Sequence, residues 1–220
     1  MGLTFGDDPF GPQRAGVFDF DPPDTVVYAR PLRRRVRGVL DGRVRIDSED
    51  AHLVWRTGSL PRYAFPAKDV DVPSEAEPAL PGFVRVAWAA VDAWFEEDER
   101  VFVHPRDPFH RVETFRTSRR VRVDVEGVVL AESTRTKALH ETGLPVRWYF
   151  PAADVRLELL APSPTLTECP YKGTAAHFRM TIGGEWVDVA WTYRGVLRPE
   201  GEPVRDLIAF YDHRVGITVA

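Results

Sequence analysis

The chain contains an internal repeat whose two copies are offset by 85 residues. Arg-Arg-Val-Arg occupies residues 34–37 and again residues 119–122. Phe-Pro-Ala follows later in each copy, at 65–67 and at 150–152. Such a repeat predicts a fold made of two related units, and it makes residues present in only one copy the better candidates for chemistry.

The repeat and the local composition together predict the domain boundaries. Residues 1–30 are rich in Pro, Gly and Asp without helical or strand periodicity, so we expect an extended arm. The first β domain is predicted over residues 31–115 and the second over 116–220. Domains of this size are small but can fold.

Charge and cysteine content restrict the partners that we expect. The chain has 29 basic and 33 acidic residues, and the net charge of −4 does not favour nucleic acid or an anionic membrane as a partner. Its single cysteine, Cys169, excludes an intrachain disulfide and a zinc site with several thiolates. We therefore expect no metal and no cofactor. The oligomeric state does not follow from the sequence.

No stretch approaches 18 apolar residues, and we find no basic-then-apolar signal region. We therefore expect a cytoplasmic protein. The high content of Arg, Asp, Pro and Ala, with very little Lys, is typical of a bacterial protein with a GC-rich genome.

Alternating apolar and polar residues predict β-hairpins at three places. Asp41-Gly42 lies in the middle of one such segment, and Glu126-Gly127 lies at the same place in its copy. Gly183-Gly184 separates two longer alternating segments. Further strands are predicted at 147–151, 155–160 and 215–219, and a helical turn within 203–211.

One short helix is predicted in each copy. Residues 48–56 and 133–141 both begin at a serine that could cap a helix, and Gly58 and Gly143 follow as left-handed caps. The sequence therefore predicts a mainly β protein with two tandem related antiparallel β domains, each with one short helix.

The copies differ most in the segment that follows Val70 and Val155. From Val70 to Ala93-Trp94 there are 22 intervening residues, and from Val155 to Ala190-Trp191 there are 34. The first copy has therefore lost about a dozen residues.

The additional segment of the second copy holds the catalytic candidates. Cys169 could be a nucleophile if Lys172 favours its thiolate, and Glu168 could be a general acid or base. Lys172 could also hold an anion or form a Schiff base. The alternatives are that Cys169 is a small buried apolar residue and that Lys172 is exposed.

Aromatic and polar residues of the second copy are candidates for ligand binding. His177 could transfer a proton, Gly173 allows close backbone approach, and Arg147 could hold an anion. The aromatic candidates are Tyr149, Tyr171, Trp191, Tyr193 and Tyr211. The same residues would also make an ordinary core with a structural histidine, and their spacing matches no nucleophile elbow, phosphate loop or metal-ligand pair.

Several motifs of the second copy follow one another in a fixed order. They are Tyr149-Phe150-Pro151, Asp154-Val155, Cys169-Pro170-Tyr171-Lys172-Gly173, Ala190-Trp191-Thr192-Tyr193, Ile208-Ala209-Phe210-Tyr211 and Arg214-Val215. Over about residues 119–216 the chain resembles the DUF427 family, a domain of unknown function, and residues 34–113 resemble a diverged second copy. The resemblance implies a β-tent (Mss4-like) fold. The paired Cys-x-x-Cys zinc motifs of that group are not carried over, because this chain has one cysteine.

We expect the second domain to bind a small anionic or aromatic ligand in a pocket formed by the Cys-Pro-Tyr-Lys-Gly segment and the Trp191/Tyr193 strand, with or without catalysis. A non-catalytic interaction module that uses residues Arg33–Arg37 is the alternative. Nucleotidyl transfer, which the resemblance implies, is a further alternative, although no glycine-rich phosphate loop or paired aspartates support it.

Overall fold

The computed structural model describes residues 2–220, which form two compact units. Unit 1 comprises the described residues up to Arg111 together with Thr142–Leu144. Unit 2 comprises Val112–Glu141 and Pro145–Ala220. Antiparallel sheets make up both units, and the mainly β fold predicted from the sequence is confirmed.

Unit 1 contains two sheets. Its strands are β1 (Val27–Pro31), β2 (Val36–Leu40), β3 (Arg43–Ser48), β4 (His52–Arg56), β5 (Arg62–Pro66), β6 (Glu75–Ala76), β7 (Phe83–Arg85), β8 (Ala93–Glu96) and β9 (Glu99–Val101). One sheet has the order β1-β4-β5-β7-β6 and the other has the order β3-β2-β8-β9. Strand β1 includes residues that the sequence analysis assigned to the arm.

Unit 2 contains three sheets. Its strands are β10 (Val112–Arg116), β11 (Val121–Val125), β12 (Val128–Ser133), β13 (Lys137–Glu141), β14 (Arg147–Tyr149), β15 (Ala161–Cys169), β16 (Gly173–Ile182), β17 (Glu185–Leu197), β18 (Ile208–Phe210) and β19 (Gly216–Val219). The orders are β10-β13-β14, β12-β11-β19 and β15-β16-β17-β18.

The three predicted hairpins form at the expected turns. Asp41 and Gly42 have φ angles of 51° and 70°, and Leu40 pairs with Arg43 across this two-residue loop. Positive φ at both central residues is the primed turn that suits the twist of paired strands. The turns at 126–127 and 183–184 also have positive φ at both residues.

The helices predicted over 48–56 and 133–141 are wrong, because most of each segment is a strand, β4 or β13. Each of these strands has a partner on both sides, and these long-range hydrogen bonds override the local helix signal. The serines cap turns instead: Ser48 Oγ accepts from Asp50 N at 3.2 Å, and Ser133 Oγ from Arg135 N at 2.9 Å.

The helical content consists of short 3-10 turns at Ala67–Asp69, Trp88–Ala90, Ala152–Asp154, Leu157–Leu159 and Pro199–Val204. The strand predicted at 155–160 is therefore wrong, and β15 begins only at Ala161. The turn predicted within 203–211 lies earlier in the chain, and β18 occupies Ile208–Phe210. None of the helical turns in the described part of the chain could cross a membrane.

The two units share a pairing pattern at the offset of the sequence repeat. Val27 pairs with Arg56 in unit 1, and Val112 pairs with Glu141 in unit 2. A serine–aspartate bond also recurs. Ser48 Oγ donates to Asp69 Oδ2 at 2.7 Å, and Ser133 Oγ donates to Asp154 Oδ2 at 2.6 Å.

The units differ in the segment that precedes β8 and β19. Val36 pairs with Glu96 at the position where Val121 pairs with Val219, so β8 corresponds to β19 by register. From Val70 to Glu96 is 26 positions and from Val155 to Val219 is 64, a difference of 38. The expected loss of about a dozen residues is therefore wrong. Unit 1 has no counterpart of β15 and β16, and the two-residue β6 pairs with β7 where the 13-residue β17 pairs with β18.

The register also changes one residue equivalence. Gly38 pairs with Trp94 in unit 1, and Val123 pairs with Ile217 in unit 2. Trp94 therefore corresponds to Ile217 and not, as the Ala-Trp alignment predicted, to Trp191.

Each unit has its own core. In unit 1, Phe65 and Trp94 stack with ring centroids 5.9 Å apart. In unit 2, Phe150 packs edge-on against Phe210 at 5.7 Å. A second cluster in unit 2 contains most of the aromatic residues singled out above.

Candidate functional site

Strands β15, β16 and β17 carry most of the predicted site residues. Side chains alternate between the faces of a strand, so Thr167 and Cys169 share one face of β15 while Glu168 lies on the other. Glu168 is exposed and Cys169 is half-buried. The predicted nucleophile and its predicted acid or base are therefore not brought together.

Lys172 is buried, which corrects the expectation of an exposed lysine. Its Nζ forms an ion pair with Glu141 on β13, and each side chain is 7% exposed. Tyr171 is buried beside it. The backbone of Lys172 is covered as well, since a Cβ added to Gly201 would lie 2.5 Å from the Lys172 carbonyl oxygen. This turn is part of the packed interior of unit 2.

Glu141 is a residue that the sequence reasoning missed. It ends β13 beside a turn, and the sequence alone shows nothing that connects it to Lys172. Its counterpart in the pairing of unit 1, Arg56, is exposed. The ion pair thus joins β13, a strand with a counterpart in unit 1, to the turn between β15 and β16, which only unit 2 has.

Cys169 packs against the aromatic cluster of unit 2, where Tyr149, Trp191 and Tyr193 lie. Its thiol is free. Apolar neighbours on this side fit the alternative in which the cysteine acts as a small apolar residue. Gly173 follows the turn with a φ of 100°, a left-handed conformation that favours glycine, and pairs with Cys169.

The aromatic residues form a connected cluster. Trp191 Nε1 donates to the Tyr149 hydroxyl oxygen at 3.3 Å, and the two rings pack edge-on at 6.2 Å. Burial raises the pKa of Tyr149 and of Tyr193 above the usual value for tyrosine. Both phenols therefore stay neutral, and the cluster has the character of a core.

His177 lies in a hydrogen-bonded chain with two hydroxyl groups. Its Nε2 is 2.9 Å from Thr167 Oγ1, and its Nδ1 is 3.2 Å from the Tyr211 hydroxyl oxygen. The side chain is 3% exposed, and burial lowers its pKa. A neutral imidazole donates at one nitrogen and accepts at the other, so both hydroxyl groups can be satisfied.

Arg147 already has a carboxylate partner. Its guanidinium lies 2.5 Å from Asp212 Oδ2 and holds the pKa of that carboxyl below its usual range. The same guanidinium is 6.0 Å from the centroid of the Trp191 ring. The two cations predicted to hold an anion, Lys172 and Arg147, are thus both occupied by acidic side chains of unit 2.

A different cleft of about 540 Å³ opens on unit 2, and none of the predicted site residues lines it. We call it the arginine cleft and define it by Ser163, Thr165, Arg179, Trp186, Asp188 and Arg214. The hairpin β16–β17 supplies three of them, because Arg179 pairs with Asp188 and Thr181 with Trp186. The alternation of side chains between the two faces of this predicted hairpin is a sequence signal that could have identified these residues.

A cation–π contact and a hydrogen bond link the arginine cleft to His177. Burial raises the pKa of Asp188, but hydrogen bonds from Ser163 and Thr165 outweigh it and lower the pKa below its usual value. Arg214 Nη1 donates to the Asp188 backbone oxygen at 2.5 Å, and its guanidinium lies 5.1 Å from the Tyr211 ring centroid. Tyr211 in turn bonds His177.

Within residues 2–220, no group of three or more His, Cys, Asp and Glu side chains is placed to hold a metal ion. The arginine cleft of unit 2 is lined by cationic and hydroxyl groups, and the buried His177 is connected to it through Tyr211.

Residues 113–220 match the model of a family described as "Domain of unknown function (DUF427)". The match covers all the unit 2 site residues described above. No curated protein matches the chain. Residues 113–220 are therefore a DUF427 domain.

Proposed function

We propose that the DUF427 domain binds a small ligand whose anionic group, such as a phosphate or carboxylate, is attached to a flat apolar part. The binding site is the arginine cleft. This keeps the ligand class expected from the sequence but uses other residues than the Cys-Pro-Tyr-Lys-Gly segment.

The observation that best supports this proposal concerns the side chain of Arg179. Its Nε is buried and has no hydrogen-bond partner within the described part of the chain. A buried donor without an acceptor costs about 1–3 kcal/mol. An anionic ligand in the cleft would supply that acceptor, and arginine binds carboxylate and phosphate oxygens with its planar fork.

The remaining side chains of the arginine cleft fit the same ligand. Arg179 and Arg214 against Asp188 leave one net positive charge. Trp186 is 58% exposed, and the Arg179 guanidinium lies 4.6 Å from the centroid of its ring. An exposed indole beside a cation offers a stacking surface next to the anion site.

The geometry supports binding better than covalent catalysis. Cys169 and Glu168 lie on opposite faces of β15, and Lys172 is held by Glu141. His177 is 3% exposed and is engaged at both ring nitrogens. We propose that His177 positions Tyr211, on whose ring Arg214 lies.

The alternative of an interaction module at Arg33–Arg37 has less support. Arg34 forms an ion pair with Glu96, and Arg35 lies 2.5 Å from Asp47. Arg37 lies 2.8 Å from Asp98. These carboxylates neutralise most of the positive charge that such a surface would use.

Calorimetric titration of the full chain with phenyl phosphate tests the proposal. We expect saturable binding, and Arg179→Gln should weaken it by about tenfold, since a charge-assisted hydrogen bond is lost. Arg194→Gln is the matched control, because Arg194 is an exposed arginine on β17 outside the cleft. Equal affinity in the two variants, or no binding at all, would overturn the proposal.

Titration with ATP and Mg²⁺ tests the nucleotidyl transfer that the family resemblance implies. Release of pyrophosphate that depends on Arg179 would assign that reaction to the arginine cleft. Binding of ATP without release of pyrophosphate would support a binding function and count against nucleotidyl transfer.

We further propose that residues 27–111 are a shortened copy of the DUF427 domain. The support is the shared offset of 85 in both strand pairing and the serine–aspartate bond. A bacterial origin and a cytoplasmic location remain proposals that rest on composition.

A further inference from the structure

We propose that unit 1 has a binding site of its own, for a flat aromatic carboxylate or a similar aromatic anion, in a pocket walled by Tyr63, Trp88 and Trp94. The pocket has a volume of about 820 Å³, and it lies entirely within unit 1. This size is within the range of pockets that hold small molecules. The proposal does not depend on the arginine cleft.

The aromatic wall is preorganised. The rings of Tyr63 and Trp88 are 6.2 Å apart and inclined by 23°, and those of Trp88 and Trp94 are 5.3 Å apart and inclined by 26°. Trp94 Nε1 donates to the Trp88 carbonyl at 2.9 Å, and the Tyr63 hydroxyl donates to Glu96 Oε1 at 2.7 Å. These bonds fix the ring planes of Trp94 and Tyr63, against which the Trp88 ring stacks, before a ligand arrives. Such preorganisation lowers the entropic cost of binding.

Trp88 offers the ligand a ring surface. Tyr63 and Trp94 are almost fully buried, whereas Trp88 is half-buried. A planar aromatic ligand can therefore stack on Trp88 with the other two rings behind it. Offset stacking of aromatic rings stabilises beyond the area buried.

The polar lining of the pocket favours an anion. Arg62 is exposed and makes no ion pair with any residue that the structure describes. Arg85, by contrast, donates two hydrogen bonds to Glu75, at 3.0 and 2.7 Å. Glu75 therefore neutralises Arg85, and Arg62 is left as the cation for the ligand. Arg62 precedes Tyr63 on β5 and leaves the strand on the opposite face, so it would contact the ligand's carboxylate or phosphate at the rim of the pocket.

The aromatic wall is specific to unit 1. The register places Ile217 in unit 2 where unit 1 has Trp94, so the shared frame does not require a tryptophan there. The pocket also lies outside residues 113–220, to which the DUF427 match is confined. The family match therefore says nothing about this site.

Titration of the full chain with naphthoate, followed by tryptophan fluorescence and calorimetry, tests the proposal. Naphthoate should bind saturably, and naphthylmethanol, which lacks the charge, about tenfold more weakly. Arg62→Gln should remove this difference by weakening naphthoate alone. Arg43→Gln changes an exposed arginine of β3 outside the pocket and should leave both affinities unchanged.

Trp88→Ala should abolish binding of both probes, and Trp88→Phe, which keeps an aromatic ring, should restore much of it. The pair separates loss of the stacking surface from misfolding, which circular dichroism checks independently. Binding that survives Trp88→Ala, or that ignores Arg62→Gln, would falsify the proposal. Naphthoate and phenyl phosphate are both aromatic anions that fit either site. Naphthoate is therefore titrated in the Arg179→Gln background and phenyl phosphate in the Arg62→Gln background, so that each proposal can fail independently of the other.

Discussion

Units 1 and 2 have the same β frame but differ in what is attached to it. Both have a primed-turn hairpin, a strand pair at the same offset and a serine–aspartate bond. Only unit 2 has β15, β16 and a long β17, with the hydrogen-bonded His177 and most of the arginine cleft. The comparison shows that the repeated residues are scaffold and that the added strands bring polar side chains together.

The largest expected effect lies where the added segment meets the frame. Glu141→Gln or Lys172→Met should each destabilise the protein by about 3–5 kcal/mol, because each leaves a buried charge without its partner. Urea denaturation measures this. The double variant Glu141→Leu/Lys172→Met should recover most of the loss.

Arg56→Gln is the matched control in unit 1, since Arg56 occupies the equivalent strand position but is exposed. This substitution should change the free energy of unfolding by no more than about 0.5 kcal/mol. If the unit 2 variants were equally mild, the ion pair would not fasten the added segment to the frame.

Gly201→Ala should have the next largest effect. The new methyl group would lie 2.5 Å from the Lys172 carbonyl, and a backbone atom cannot move aside cheaply. We expect a loss of about 1–3 kcal/mol in unfolding free energy. Gly16→Ala, which introduces a methyl group with no atom within 4 Å, is the control and should be neutral.

The shared serine–aspartate bond should be worth a similar amount in both units. Ser48→Ala and Ser133→Ala should each cost about 1 kcal/mol at neutral pH, because each removes a hydrogen bond to a carboxylate. Unequal losses of unfolding free energy, measured by urea denaturation, would show that this bond does not contribute equally to the stability of the two units.

In unit 2, the contribution of this bond to stability should depend on pH. Hydrogen bonding to Ser133, and then to Arg135, holds the pKa of Asp154 below its usual value. The resulting stabilisation is present above the unfolded pKa of about 3.9 and is lost as the pH falls through the lower folded pKa. The cost of Ser133→Ala should therefore shrink in acid.

The smallest effect concerns a buried histidine in each unit. Burial lowers the pKa of His177 and of His104, so the unfolded chain binds protons more readily than the folded protein. Stability should be full above the unfolded pKa of about 6.5 and fall as the solution is acidified below it. His177→Gln and His104→Gln should each reduce the dependence of the urea unfolding midpoint on pH. A pH dependence that is unchanged in both variants would contradict the effect of burial on these histidines.

The sequence predicts best those elements whose signal is local. The hairpins at 41–42, 126–127 and 183–184 are confirmed because both central positions of a primed turn need residues that tolerate positive φ. The helices at 48–56 and 133–141 are wrong because a serine can cap a turn as well as a helix. Flanking strands distant in sequence decided between the two.

The candidate site was less predictable than the fold. His177, Tyr211, Trp191 and Tyr149 form a connected series of contacts. Lys172 was expected at the surface, and its partner Glu141 lies 31 positions away without a motif that relates them. Arg179 and Trp186 were within reach of the alternation rule but belong to no family motif quoted above.

The sequence by itself determined the repeated frame, its turns and the segment that only the second copy has. These follow from patterns within a few residues or from comparison at a fixed offset. Only the tertiary structure decided that Lys172 is buried and that Trp94 corresponds to Ile217. It also decided that Arg179 lines a cleft and has a buried donor without a partner in the described part of the chain. Burial and register depend on contacts between distant segments, and these arise only when the strands pair.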